Sequence, residues 1–385
     1  MKASAIRELL KVIKSGEIMS MAGGMPNPKS FPIDMIKNIT HHILDERGTE
    51  ALQYGTTSGY LRLREALSER LKGKFNIDAS PENIIITAGS QQGLFLIGRV
   101  FIDRRDPIIL GAPTYLAALT AFKQFNPTFV DIPLDEQGMD IQKLELTLED
   151  MGEPPKLLYT VPTFQNPTGV TLSLERRTRL LELASKYDFL IVEDGPYNEL
   201  RYKGEDIDPL KSMDTNGRVL FLGTFSKVLA PGFRLGWIVA NKEFIRKIEI
   251  AKQSVDLCTN VFSQHIACEY IESSRMDEQV EKIRGLYKKK RDIALEALET
   301  YMPEGVKWTT PQGGMFLWVT VPAYIDTNAI FEDARKHKVA YVPGESFYPN
   351  KPEKNTMRIN YTYLSDEEIP KGIKRIAETI EEHLR

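Results

Sequence analysis

Lys227 closes the tetrapeptide Thr224-Phe225-Ser226-Lys227, directly after the apolar run Val219-Leu220-Phe221-Leu222-Gly223. An amine placed there, among small hydroxyl side chains, can form a Schiff base once burial and nearby positive charge lower its pKa. Read alone, the same residue is a solvated surface charge, the commoner fate of a lysine. Its companions change that reading. Asp194 heads Asp194-Gly195-Pro196-Tyr197 after a second apolar run, Asn166-Pro167-Thr168-Gly169 follows a third, and Arg234 lies shortly beyond Lys227. Each has a bland alternative: Asp194 as a helix cap, Tyr197 as a pocket-edge tyrosine, Arg234 as a surface cation.

A Schiff-base lysine with a partner carboxylate fits pyridoxal phosphate, whose ring nitrogen needs an acid beside it if the ring is to act as an electron sink. Asp194 is the candidate, and Tyr197 can donate to the cofactor's phenolic oxygen. The cofactor's phosphate needs donors and positive charge. Gly89-Ser90-Gln91 opens an apparent helix after a strand and offers backbone amides and a hydroxyl at its positive end, with Arg234 supplying charge. Tyr115, after Gly111-Ala112-Pro113-Thr114, can stack on the ring or simply pack in the core.

These residues sit at the ends of apolar runs, which must therefore be strands. Seven candidates recur: 83–87, 107–110, 128–132, 156–161, 189–192, 219–223 and 236–240. Their unbroken hydrophobicity predicts a largely parallel sheet covered by helices on both faces, with a ligand beyond the strands' carboxyl ends. From Asp277 to Tyr301 the turn signals vanish and a long amphipathic helix is expected. After it, strand-like runs at 315–321 and 357–361 and a charged helix from Asp366 predict a smaller α+β domain. The organisation expected is residues 1–45 packing on that small domain and the active site, a large domain over 46–285 and a small one over 286–385. At 385 residues a second domain is anticipated.

Composition narrows the function classes. A formal charge of −3 offers no broad basic footprint for nucleic acid, and 42% hydrophobic residues suit a globular protein with a small-molecule ligand. Two cysteines, Cys258 and Cys268, make neither a disulfide scaffold nor a zinc pair, so a cytoplasmic protein is expected. Five histidines without ligand spacing argue against a metal site. Residues 1–16 carry interleaved charges unlike a signal peptide, and no apolar run reaches membrane-spanning length.

Taken together, these motifs, in their order and approximate spacing, resemble the fold type I aminotransferases of class I and II over essentially the whole chain. The resemblance implies an aspartate-aminotransferase-like fold with Lys227 as Schiff-base lysine and proton shuttle, and Asp194 on the ring nitrogen. It places Asn166 and Tyr197 at the phenolic oxygen, Tyr115 on the ring, and Ser90, Gln91, Thr224, Ser226 and Arg234 around the phosphate. Met357-Arg358-Ile359-Asn360-Tyr361 resembles the small-domain strand whose arginine grips the substrate carboxylate, with Asn166 close by. Gln53-Tyr54-Gly55 resembles a segment whose tyrosine reaches the neighbouring subunit's phosphate, which implies a homodimer with shared sites.

Ala22-Gly23-Gly24-Met25-Pro26 and Ile6-Arg7-Glu8-Leu9-Leu10 are most similar to the 2-aminoadipate and kynurenine aminotransferase group. Gly24 would then present a backbone amide to the substrate, and Arg7 would face its distal carboxylate. Thr224 stands where that group often has serine, with the hydroxyl retained. The implied reaction moves an amino group from an L-amino acid to a 2-oxo acid, 2-oxoglutarate, by a ping-pong route. A carbon–sulfur lyase or a decarboxylase shares the same cofactor contacts. A non-catalytic regulator domain would need an upstream winged-helix module, for which about twenty residues before Gly23 leave no room.

Overall fold

The computed structural model describes residues 18–385. Its strands are β1 (Met19–Ser20), β2 (Ile84–Thr87), β3 (Pro107–Ala112), β4 (Thr128–Asp135), β5 (Gly138–Met139), β6 (Leu157–Thr160), β7 (Leu190–Asp194), β8 (Val219–Thr224), β9 (Gly236–Val239), β10 (Lys307–Trp308), β11 (Phe316–Thr320), β12 (Val339–Ala340), β13 (Val342–Pro343) and β14 (Thr356–Asn360).

Eight of them form one sheet in the order β2-β9-β8-β7-β6-β3-β4-β5. The block β8-β7-β6-β3-β4 is parallel, and β9 runs antiparallel between β2 and β8. All seven anticipated strands are there. The eighth, β5, pairs antiparallel with β4 through only two residues, too short to leave a periodic signal in the sequence.

Alternation along each strand explains the two-sided covering. Ile108, Leu110, Leu157, Tyr159, Val192, Leu220 and Leu222 bury in one core against the helices Ser90–Phe101, Leu116–Phe122 and Lys242–Gln253. Their neighbours Ile109, Leu158, Ile191 and Val219 enter another, under Ile141–Asp150 and Leu174–Lys186. Complete burial of such a side chain contributes about 1.5–3 kcal/mol, so neither face tolerates a charge.

The smaller body is an antiparallel sheet, β10-β11-β14-β13, covered by Glu368–Glu381 through Ile373, Ile376 and Ile380. The Arg275–Tyr301 helix links the two bodies: Met276 and Val280 lie in the core with Ile84 and Ile86, whereas Ala294 and Leu298 lie in the small-body core. The first described residues also divide. β1 pairs parallel with β12 in the small body, but Ile39 and Ile43 of the Ile33–Ala51 helix bury among large-body residues. The stretch expected to rest on the small domain therefore touches both cores, because the Ile39/Ile43 stripe needs an apolar partner.

Among the described residues no helix is long and apolar enough to cross a membrane, and no three His, Cys, Asp or Glu side chains converge as a metal site.

Candidate active site

Because β6, β7 and β8 are parallel, their carboxyl ends share one edge of the sheet. Asp194 is the last residue of β7, opposite Leu222 of β8, and Lys227 lies three residues past the end of β8. The turn carrying Lys227 is held by Thr224, whose Oγ1 accepts from the Ser226 amide at 3.1 Å and donates to the Leu235 carbonyl at 3.1 Å. From this turn the Lys227 Nζ donates to the Gly24 carbonyl at 2.9 Å. Burial, then the positive charges of Arg358 and Arg234, push the amine down to about 8, with Asp194 opposing. A useful fraction is thus neutral, and nucleophilic, at ordinary pH.

Asp194 is 2% exposed, and its Oδ2 accepts from the Tyr159 hydroxyl at 2.9 Å. Its Oδ1 is buried with no partner among the described residues. Burial pushes the carboxyl up to about 7, against the Tyr159 hydrogen bond, while Glu193 raises it further and Lys227 lowers it. An orphaned carboxylate oxygen is costly unless a donor meets it, and a protonated pyridine nitrogen is such a donor. The residues present therefore fit pyridoxal phosphate. Glu193 faces the opposite way, accepting from the Leu210 and Lys211 amides at 3.0 and 2.8 Å.

Asn166, Tyr197 and Arg358 meet across the two bodies. The Arg358 guanidinium donates to Asn166 Oδ1 at 2.8 Å and to the Ala22 carbonyl at 2.7 Å. Asn166 Nδ2 donates to the Tyr197 hydroxyl at 3.5 Å. Arg358 is flanked by the rings of Phe316 and Phe347, with centroids at 4.2 and 5.0 Å, and its Nε has no partner among the described residues. Burial lowers it to about 10, so it stays a cation in a dry slot suited to a carboxylate. Tyr115 is partly buried ahead of the Leu116–Phe122 helix, its phenol pushed up to about 12 by burial and then by Asp194.

The remaining expected groups lie at the start of the Ser90–Phe101 helix. Gly89 has φ 76°, and a Cβ there would stand 2.8 Å from an Arg234 nitrogen, so only glycine admits this approach of the guanidinium to the helix end. Arg234 is exposed and its guanidinium donates to the Pro231 carbonyl at 3.3 Å. Thr224 Oγ1 and Ser226 Oγ are 3.0 Å apart. Ser90 is the first residue of the helix, while the Gln91 side chain turns aside to the Ala117 carbonyl at 3.1 Å. Tyr54 is 81% exposed. Arg7 lies outside the described residues.

Three neighbours of the site were not anticipated. They are Phe316 and Phe347, beside Arg358, and Tyr159, beside Asp194. For Tyr159 the only available signal is a hydroxyl within an otherwise aliphatic run, Leu157-Leu158-Tyr159, where a buried phenol needs an acceptor.

A family model described as aminotransferase class I and II matches residues 23–376. The chain is 56% identical to aromatic-amino-acid aminotransferase 1 of Thermococcus litoralis, covering all of this chain and 93% of that one. It superposes with TM-score 0.97 on a kynurenine aminotransferase of Pyrococcus horikoshii solved with PMP, KYN and KYA, at 53% identity over 100% of this chain and 96% of that one. LysN, an alpha-aminoadipate aminotransferase of Thermus thermophilus solved with N-(5′-phosphopyridoxyl)-L-leucine, gives TM-score 0.92 at 38% identity over 99% and 95% of the two chains.

Proposed function

We propose how this pyridoxal-phosphate-dependent transaminase works from one premise: the chain belongs to the aminotransferase class I and II family. It takes an amino group from an aromatic, kynurenine-like or 2-aminoadipate-like amino acid and gives it to 2-oxoglutarate in two successive half-reactions. The donor classes are those named for the relatives above. The observation that carries the reading is the buried Oδ1 of Asp194, unpartnered among the described residues, on the same sheet edge as Lys227.

The cofactor, when bound, supplies the electron sink that stabilises charge developing at the substrate α-carbon. The protein does the rest. Asp194 Oδ1 accepts from the ring nitrogen and keeps it protonated. Asn166 and Tyr197 serve the phenolic oxygen, and Tyr115 covers the ring. Ser90 and Gln91 at the helix start, with Thr224, Ser226 and Arg234, hold the phosphate. Arg358 grips the substrate α-carboxylate with both guanidinium arms, beside Asn166 and the Gly24 backbone. Lys227 Nζ, whose pKa lowered to about 8 leaves a neutral fraction at ordinary pH, accepts the α-proton.

Tyr54 serves the phosphate of a second copy, which makes the working unit a homodimer in the cytoplasm, organised as residues 1–45, 46–285 and 286–385. Arg7 meets the distal carboxylate of acidic substrates. The test is a panel of aromatic, acidic and aliphatic amino donors with 2-oxoglutarate, following glutamate. Turnover is expected with aromatic donors and 2-aminoadipate, and its absence with every donor would refute the assignment.

A further inference from the structure

We infer that Tyr159 is a positioning residue that decides which oxygen of Asp194 faces the cofactor ring, an inference that rests on the role proposed above for Asp194. Tyr159 is fully buried in β6, next to β7, and its register partner Val192 lies two residues before Asp194. Its ring is wedged edge-on against Phe122, with centroids 5.7 Å apart at 73°. The phenol therefore has one place to point, and its single hydrogen goes to Asp194 Oδ2 at 2.9 Å. That bond breaks the symmetry of the carboxylate. One oxygen is committed to the protein, and the other, Oδ1, is the one left without a partner among the described residues.

The electrostatics act in the same direction. Burial, then Asp194 and neighbouring tyrosines, hold the Tyr159 phenol well above its ordinary value, so it remains a donor throughout the working pH range. On Asp194 the Tyr159 bond is the strongest influence favouring the charged carboxylate, with Lys227 adding to it and burial and Glu193 opposing. Tyr115 and Tyr197 feel Asp194 from their own elements, and Arg358 and Arg234 act on Lys227. Without the phenol, the carboxyl is free to rotate and more inclined to take the ring proton. It would then be a poorer partner for a protonated nitrogen.

The test uses the full chain and the near-isosteric Tyr159→Phe, with Asp194→Asn and the double variant. In Tyr159→Phe the pyridoxal phosphate dissociation constant of the apoprotein should rise by roughly tenfold or more, the cost of a hydrogen bond to a charged group. The pH midpoint of the bound cofactor's absorbance should move, and kcat should fall with the KM for the amino donor little changed, because Arg358 is untouched. In the Asp194→Asn background, adding Tyr159→Phe should change cofactor affinity no further. This comparison also decides the matter if the single variant does not fold, since it removes the uncompensated carboxylate. A folded Tyr159→Phe with unaltered midpoint and affinity, or additive losses in the double variant, would overturn the inference while leaving Asp194 in place. An Asp194→Asn protein that binds pyridoxal phosphate as well as the parent would remove both.

Discussion

At the proposed ring end of the site Asp194, Asn166 and Arg358 are at most 4% exposed and braced by bonds to Tyr159, Tyr197 and Ala22, whereas at the proposed phosphate end Arg234 is exposed. The contrast follows from what each end has to do. Tuning a proton affinity requires desolvation, so Asp194 and Lys227 are drawn toward neutrality from opposite sides, to about 7 and about 8. Holding a phosphate requires charges that remain charges in water, and groups that several elements can contribute.

The contrast can be tested by substitution, beginning where the loss should be greatest. Lys227→Ala should lower kcat by about 10³-fold or more and remove the borohydride-sensitive absorbance of the holoenzyme while the fold persists. An absorbance that survived would place the cofactor elsewhere.

Asp194→Asn should show what the ring end costs the apoprotein. The folded-state pKa of Asp194 is raised above the ordinary carboxylate value of 3.8, so the folded apoprotein binds the extra proton between about pH 4 and 7. That contribution to stability is present below pH 4 and is lost as pH rises through about 7. Thermal unfolding at pH 8 should therefore find the apo Asp194→Asn protein more stable than its parent, by up to a few kcal/mol, with the gap closing toward pH 4. A constant gap across that range would mean that packing, not protonation, sets it.

Arg234→Gln should weaken cofactor affinity by roughly tenfold, less at high salt, and excess pyridoxal phosphate should largely restore kcat. If kcat at saturation fell as far as the affinity, the two ends would not be separable.

Much of this was legible in the chain because it is local. The apolar runs betray the seven longer strands of the large sheet, and residues at or just past their ends, Asp194, Lys227 and Asn166, mark the candidate site's edge. What was not legible depends on register between strands distant in sequence. Nothing near Tyr159 in the chain says that β7 will bring Asp194 beside it, 35 residues on. Nothing around Phe316 and Phe347 says that they will close on Arg358 from two sides. Gln91 illustrates the opposite limit: the motif locates its backbone at the helix start, but the side chain's choice of the Ala117 carbonyl is settled by packing.

Ala22 and Gly24, two residues apart, lend their carbonyls to Arg358 and Lys227 respectively. One short stretch of backbone thus acts as a pair of neutral placeholders. The two cations are kept satisfied without being committed to a protein carboxylate that an incoming ligand would have to evict. A substrate carboxylate offers the guanidinium an ion pair, with a two-pronged geometry, in exchange for a bond to a neutral dipole. The same exchange gives an uncharged competitor no advantage, so the backbone itself biases the site toward anions.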